Sequence, residues 1–476
     1  MGEALIARRG GGGKLNAILE QYRVAAGESV SANGFVRFVD DLSTHSLQGD
    51  YPYVAACALD ENTVLAVGRS SYTSAYVYAW KITFSGQTGS VGTRTQVANT
   101  SAYTELAMRM RLIPLNANTA VLFVPHSYSD SSNYWGYAVI SVSGDALTAG
   151  ATMTLSGLWD VMPGYSDTNS WDAIPTGNDQ ILCVHSSYLS SSKTKVYARA
   201  FGLNATSPTY LQSKRNKSLT VTGGTSSSED NTISVCRLSD GRYLVLGQYK
   251  YSGTTYAARP FFVTDSGSAI TITNGGKTTL YTYSSAAYMC GAIRLSDQSA
   301  LYVYARKQGT YYYLYGRVIS ASASGTVSAN TETQLSAREM RYYTSSTPNE
   351  RGMMFALRGQ RGGIFANGSK CQVIYMPVDP GAIYSIALTI AGNAIAVKGE
   401  KEIVPKDETQ TETRELACDI AQPTGDRRVI YTTINGVLTG TMLTTAVGAA
   451  VSGDTVDGVA AENAAAGTNV DVYRPA

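Results

Sequence analysis

The chain has 476 residues, of which 44% are hydrophobic and 16% charged, with a formal net charge of +2. Such a length exceeds one hydrophobic core, the hydrophobic fraction excludes disorder, and the charge balance offers no electrostatic ground for nucleic acid or an anionic membrane. Ser, Thr, Asn and Gly supply the polarity; with 33 Tyr and 46 Gly, the composition favours strands and turns over helices.

In chain order, residues 1–32 read as an N-terminal arm for attachment. Residues 1–13 lack the apolar run of a secretory signal, and Ile6 stands where myristoylation needs Ser or Thr. Glycines 10–13 make a joint ahead of residues 14–22, a short helix or extended arm. Lys14 is followed by Leu15 rather than Ser or Thr, which argues against a phosphate-binding loop. Residues 34–40 alternate like a strand. No stretch approaches the apolar length needed to cross a membrane as a helix, so no membrane insertion is expected.

From residue 56 a unit of about sixty residues recurs: an apolar run, a tight polar turn, a second apolar run, a Ser/Tyr-rich loop and an aromatic strand. First runs fall at 56–59, 111–115, 172–175, 235–238 and 292–295, with a weaker sixth copy at 353–357. The turns carry Asp60 and Asn62, Asn116 and Asn118, Gly177 and Asn178, Asp240 and Gly241, and Asp297. Asn, Asp and Gly tolerate the positive φ that two-residue hairpins require. First runs that are nearly all apolar or small suit inner strands packed on both faces. Third strands are read at 76–80, 135–140, 196–201 and 311–318, with Thr/Val/Gly-rich outer strands beyond.

Four antiparallel strands per unit, repeated radially, define an all-β β-propeller over residues 33–380, with six blades expected and seven the other count that the weak sixth copy allows. Residues 370–378 read as the third strand of the sixth unit, which then lacks an outer one. Residues 34–40 are expected to supply it and close the ring. Residues 381–476, poorer in aromatics, read as a small β-rich C-terminal domain, and the charge run at 400–415 as an exposed strand pair or linker.

In a propeller the loop between strands two and three lies on the same side as the link to the next blade. Both sets are rich in Tyr, Trp, Ser and Asn, which places Tyr72, Tyr128, Tyr134, Trp159, Tyr165, Tyr188, Tyr251, Tyr283 and Tyr343 on one ligand-binding face. Rigid amphipathic rings offer contact area at low entropic cost, while small polar residues adapt. Catalysis has thinner support, and the chain is expected not to be an enzyme. Of three histidines, His126 and His185 occupy equivalent repeat positions, which favours a structural role, and His45 stands apart. No nucleophile elbow, zinc-binding HExxH or calcium loop occurs; no cofactor and no metal are expected. Cys57, Cys183, Cys236, Cys290, Cys371 and Cys418 lie far apart, as buried small hydrophobes would. Arg111, Arg237 and Arg294 fall on inner strands, where lining the channel, forming salt bridges and snorkelling are all open to them.

The N-terminal run Gly2-Glu3-Ala4-Leu5-Ile6-Ala7-Arg8-Arg9 resembles the opening of virion-associated fibre and tail proteins from phages of Gram-positive bacteria. Residues 452–473 are similar to small β modules of phage decoration and fibre proteins. The resemblance implies localisation to a virion made in the host cytoplasm. It also implies several copies or a homo-oligomer, other virion proteins as partners, and a host cell-surface glycan or protein as ligand. It carries over no catalytic residue. The expected function is adhesion by a fibre, tail or head-decoration protein, with a glycan-cleaving propeller or a purely structural assembly protein as alternatives.

Overall fold

The structure, a computed structural model, describes residues 6–7, 15–25, 28–32, 35–49, 51, 53–69, 76–99, 110–129, 132–154, 171–177, 179–190, 193–222, 233–252, 255–275, 282–283, 288–308, 311–322, 325–339, 364–367, 370–375, 377, 382–405, 419–422, 427–449, 458–460, 463–465 and 469–475. Every regular element among them is a strand. Two compact units divide the chain: residues 45–425 with 430–440, and residues 1–44 with 426–429 and 441–476.

The larger unit is a seven-bladed propeller, one blade more than the six expected. Blade one is built from Tyr53–Ala58, Thr63–Arg69, Tyr76–Ser85 and Thr88–Val91, inner strand first. Blade two has Arg111–Asn116, Thr119–Ser129, Ser132–Ser143 and Ala146–Ala149; blade three has Trp171–Gly177, Gln180–Ser190, Lys193–Leu203 and Leu211–Thr222. Blade four runs through Ile233–Ser239, Arg242–Ser252, Thr255–Asp265 and Ile270–Asn274, and blade five through Tyr288–Ser296, Ser299–Gln308, Tyr311–Ala321 and Val327–Ala329. All pairings within these blades are antiparallel.

The sixth blade differs from expectation by one strand. Ile364–Asn367 is its innermost strand, Lys370–Tyr375 its second, Ile383–Ala391 its third and Ala394–Val404 its outer strand. The blade therefore runs past residue 380 and owns its outer strand. Its sequence, with Lys398, Glu400, Lys401 and Glu402, looks like a linker because an outermost strand exposes most of its residues. Residues 34–40 are consequently not needed there. Within the larger unit the seventh blade is formed by Asp419–Ala421 with residues 430–434 and 437–440. Within the larger unit Leu47 N donates to Leu438 O at 2.7 Å and Leu438 N to Gly49 O at 2.9 Å. Closure removes the free edges that invite aggregation. The turn between strands two and three of this blade is Asn435-Gly436, with φ of 52° and 72°, the positive pair a type I′ hairpin requires.

Packing follows from strand composition. The second strand is buried on both faces, as in Thr63–Arg69 of blade one, whose residues 64–69 are all buried. The apolar clusters lie between successive sheets: Leu65 and Val67 of blade one pack with Leu112 and Leu122 of blade two. Likewise Phe123 and Val139 of blade two pack with Trp171 and Ile181 of blade three. Burying each such side chain contributes about 1.5–3 kcal/mol. Cys57, Cys183, Cys236 and Cys371 are buried in these layers. Burial pushes the Cys236 and Cys371 thiols up to about 12, so both stay protonated and unreactive.

In the smaller unit Leu15–Arg23 runs antiparallel to Asn469–Pro475, in register from Ala17↔Pro475 to Arg23↔Asn469. Gly458–Ala460 pairs with Asn469–Pro475 on one side and with Phe35 and Val36 on the other. Val24, Val30, Val36, Ala460 and Val472 form its core. Residues 15–23 are thus a strand rather than a helix, and the first and last segments of the chain share one sheet.

Candidate functional site

Antiparallel blades put the one–two and three–four turns at one end and the two–three hairpins at the other. The turn end is stitched from blade to blade. Lys81 Nζ of blade one donates to Gly144 O at 2.7 Å and Asp145 Oδ1 at 3.1 Å in blade two. Asn116 Nδ2 of blade two donates to Asp179 Oδ1 of blade three at 2.7 Å. Arg215 of blade three holds Asp265 of blade four through two bonds of 2.8 and 2.7 Å. Arg242 of blade four donates to Asp297 O at 3.3 Å and to Ser322 O, both of blade five. Asn330, which follows blade five, donates to Asn393 O in blade six. Gly241 allows one of these turns: its φ is +66°, and a Cβ there would stand 2.4 Å from Asp265 O.

The hairpin end is different. In blades two to five the second and third strands outrun the first. The inner strand of blade two begins at Arg111 opposite Phe123, while its hairpin pairs on to Ser129↔Ser132. In blade three Trp171 faces His185 and the hairpin continues to Ser190↔Lys193; in blade four Ile233 faces Gly247 and it continues to Ser252↔Thr255. Blade five ends at Gln308↔Tyr311. Among the described residues the overhang in blades two to four reaches roughly 16 Å at about 3.3 Å per residue. Segments expected as Ser/Tyr loops are therefore paired strands with two residues between their last partners.

The expected site residues divide accordingly. Tyr128, Tyr134, Tyr188 and Tyr251 lie in the overhanging strands, and Tyr283 lies in a short strand paired to Tyr256 of blade four. Tyr128 and Tyr251 each fall at the register shift next to the last pair, whereas Tyr188 pairs directly with Thr194 and is one position out of step. Tyr72, Trp159, Tyr165 and Tyr343 fall outside the described residues. Composition alone overlooks two tyrosines that are plainly accessible: Tyr76 is 45% exposed and Tyr311 50% exposed. Each opens the third strand of its blade, at the hairpin end. Position in the repeat, rather than residue type, is the signal that finds them.

Below the hairpins, charged and aromatic groups are locked together. In blade three Tyr197 stacks on His185, with centroids 4.8 Å apart and planes 5° apart, and Lys195 Nζ sits 4.8 Å from the same ring. His185 is buried, and desolvation, aided by the charge of Arg199, lowers its pKa to about 3. At neutral pH it is an uncharged packing group, in keeping with a structural role. In blade five Arg306 lies 4.1 Å over the Tyr315 ring and pairs with Glu332 at 2.5 Å.

Nearer the axis, Arg111 Nη1 donates to Asp172 Oδ1 at 2.9 Å, and its Nη2 to Trp171 O at 2.7 Å. Asp172 Oδ2 accepts Val235 N of blade four at 2.9 Å, so one buried carboxylate ties three blades. Arg237 and Arg294 each pair with an aspartate at their own turn, Asp240 and Asp297. All three inner-strand arginines form salt bridges. His45 belongs to the closure: its Nε2 lies 3.2 Å from the Tyr431 hydroxyl, its ring packs edge-on against Phe84, and burial lowers its pKa to about 4. No group of His, Cys, Asp and Glu among the described residues could hold a metal ion.

No family model matches the chain, and no curated protein matches it either. Among solved structures it is similar to a hypothetical selenium-binding protein from Sulfolobus tokodaii, at 7% identity and a TM-score of 0.42, over 74% of this chain and 81% of that one. It is similar to the GH93 alpha-L-arabinofuranosidase of Fusarium graminearum at 11% identity and a TM-score of 0.39, over 88% and 97%. The Nup133 beta-propeller domain of Vanderwaltozyma polyspora gives 10% identity and a TM-score of 0.39, over 87% and 100%. The propeller assignment itself rests on the strand order. The expectation that the chain is not an enzyme is corrected here, because propeller glycoside hydrolases stand among the similar structures and the architecture gives no ground for excluding catalysis. At these TM-scores the likeness assigns no activity.

Proposed function

We propose that this chain is a carbohydrate-active propeller that engages a host cell-surface glycan on its hairpin face. In this reading it is displayed in several copies on a virion beside other virion proteins. The observation that carries the proposal is the pair of exposed tyrosines, Tyr76 and Tyr311, at the end of the ring where blades two to five raise long hairpins bearing Tyr128, Tyr134, Tyr188 and Tyr251. Aromatic faces take apolar sugar faces, and flanking Ser and Asn bond hydroxyls. Weak individual sites gain avidity when copies are multiplied. The virion setting is supported by the resemblance of the two chain ends.

The test is a pull-down of the full chain on purified cell-wall polysaccharide, with released reducing ends measured in the same mixture. The wild type is expected to bind, and Tyr76→Ala combined with Tyr311→Ala to lose at least tenfold in affinity. Unchanged binding by that double variant would overturn the proposed face. Released sugar would add cleavage to recognition.

A further inference from the structure

A cleft of about 440 Å³ opens at the turn end between blades three and four, on the side opposite the hairpins. Its walls include Gln180 and Arg215 of blade three and Arg237, Asp240, Tyr243 and Asp265 of blade four. The volume falls within the usual range for small-molecule sites. Nothing in the function proposed above uses it.

The charges in the cleft cancel in pairs. Arg215 is joined to Asp265 by two parallel bonds, with Gly267 N as a further donor to Oδ1 at 2.9 Å. Both partners are nearly inaccessible, so this wall is preorganised. Arg237 Nη2 holds Asp240 Oδ1 at 2.5 Å, and the Asp240 side chain is 99% exposed. A free anion would meet two carboxylates, and a free cation two guanidinium groups. Neither gains a net attraction.

The remaining hydrogen-bonding capacity is mixed. Gln180 accepts from Arg215 Nη2 at 2.6 Å through its carbonyl oxygen, which directs its amide NH₂ to donate elsewhere. Asp240 accepts only, and a hydroxyl both donates and accepts. We infer that the cleft is a second binding site that takes a small, neutral, hydroxyl-rich ligand, a saccharide of one or two rings. This site is independent of the hairpin-face reading.

The experiment is calorimetric titration of the full chain with cellobiose, maltose and lactose, and with glucose 6-phosphate as the anionic probe. At least one disaccharide is expected to bind. Asp240→Ala and Gln180→Ala should each weaken it at least tenfold, while the Tyr76→Ala, Tyr311→Ala protein retains it. Asp240 is a surface turn residue, so its variant should melt with the wild type; if it melts early, Gln180→Ala alone decides. The inference is overturned if none of the three disaccharides binds, if glucose 6-phosphate binds in preference, or if the deciding variants titrate like the wild type.

Discussion

The two ends of the propeller use polar residues in opposite ways. At the turn end Lys81, Asn116, Arg215, Arg242 and Asn330 each reach into the following blade or its turn, so these polar side chains hold the ring together. At the hairpin end the backbone hydrogen bonds of paired strands carry Tyr, Ser and Asn beyond the inner strands, and Tyr76 and Tyr311 stand exposed. A propeller can therefore vary one end without loosening the other, because the cohesion lies in interblade layers, turns and axial latches.

The largest effect is expected at the axial latch. Asp172→Ala leaves the buried Arg111 guanidinium without its carboxylate and Val235 N without its acceptor. Removing one partner of a buried pair costs about 3–5 kcal/mol, to be read by denaturant unfolding. An unchanged midpoint would mean that the latch does not tie the blades.

Acid should come next. His45 and His185 have folded pKa values lowered by burial to about 4 and about 3, against 6.5 when unfolded. The unfolded chain then binds more protons, so the stability each contributes is complete above pH 6.5 and is lost as pH falls toward those folded values. Between pH 7 and pH 5 the loss is about 2 kcal/mol per histidine, on the scale of about 1.4 kcal/mol per pH unit. Thermal melting across that interval checks it, and His185→Phe should flatten the slope.

Arg215→Ala, which strands the nearly buried Asp265, is expected to cost about 2 kcal/mol, as lost hydrogen bonds to a charged group do. Asp145→Ala sits at the other limit. Its carboxylate is fully exposed and Lys81 keeps its bond to Gly144 O, so no measurable change in melting temperature is expected. If Asp145 mattered as much as Arg215, exposure would not be what grades the stitches.

The inner half of blades one to five was legible in sequence because inner strands must be apolar on both faces and their hairpins need Asn, Asp or Gly. The sixth blade was harder. Ile364–Asn367, its innermost strand, invites assignment as a second strand because the apolar residues 353–357 precede it. Ala394–Val404 carries a linker's charges because its two faces are largely solvated. The seventh blade copies none of the Tyr-rich repeat, and its bonds between Leu438 and Leu47 and Gly49 join residues far apart in sequence, which no local pattern reveals. At the hairpin end, Ser/Tyr composition marked the segments that join strands two and three but suggested loops where the structure has paired strands.

The most direct measurement is hydrogen–deuterium exchange of the full chain with and without bound cell-wall polysaccharide. Slowed exchange in 124–134, 186–195 and 248–257, together with the segments around Tyr76 and Tyr311, is the predicted result. Polysaccharide that binds without slowing any of these segments would contradict recognition at the hairpin end.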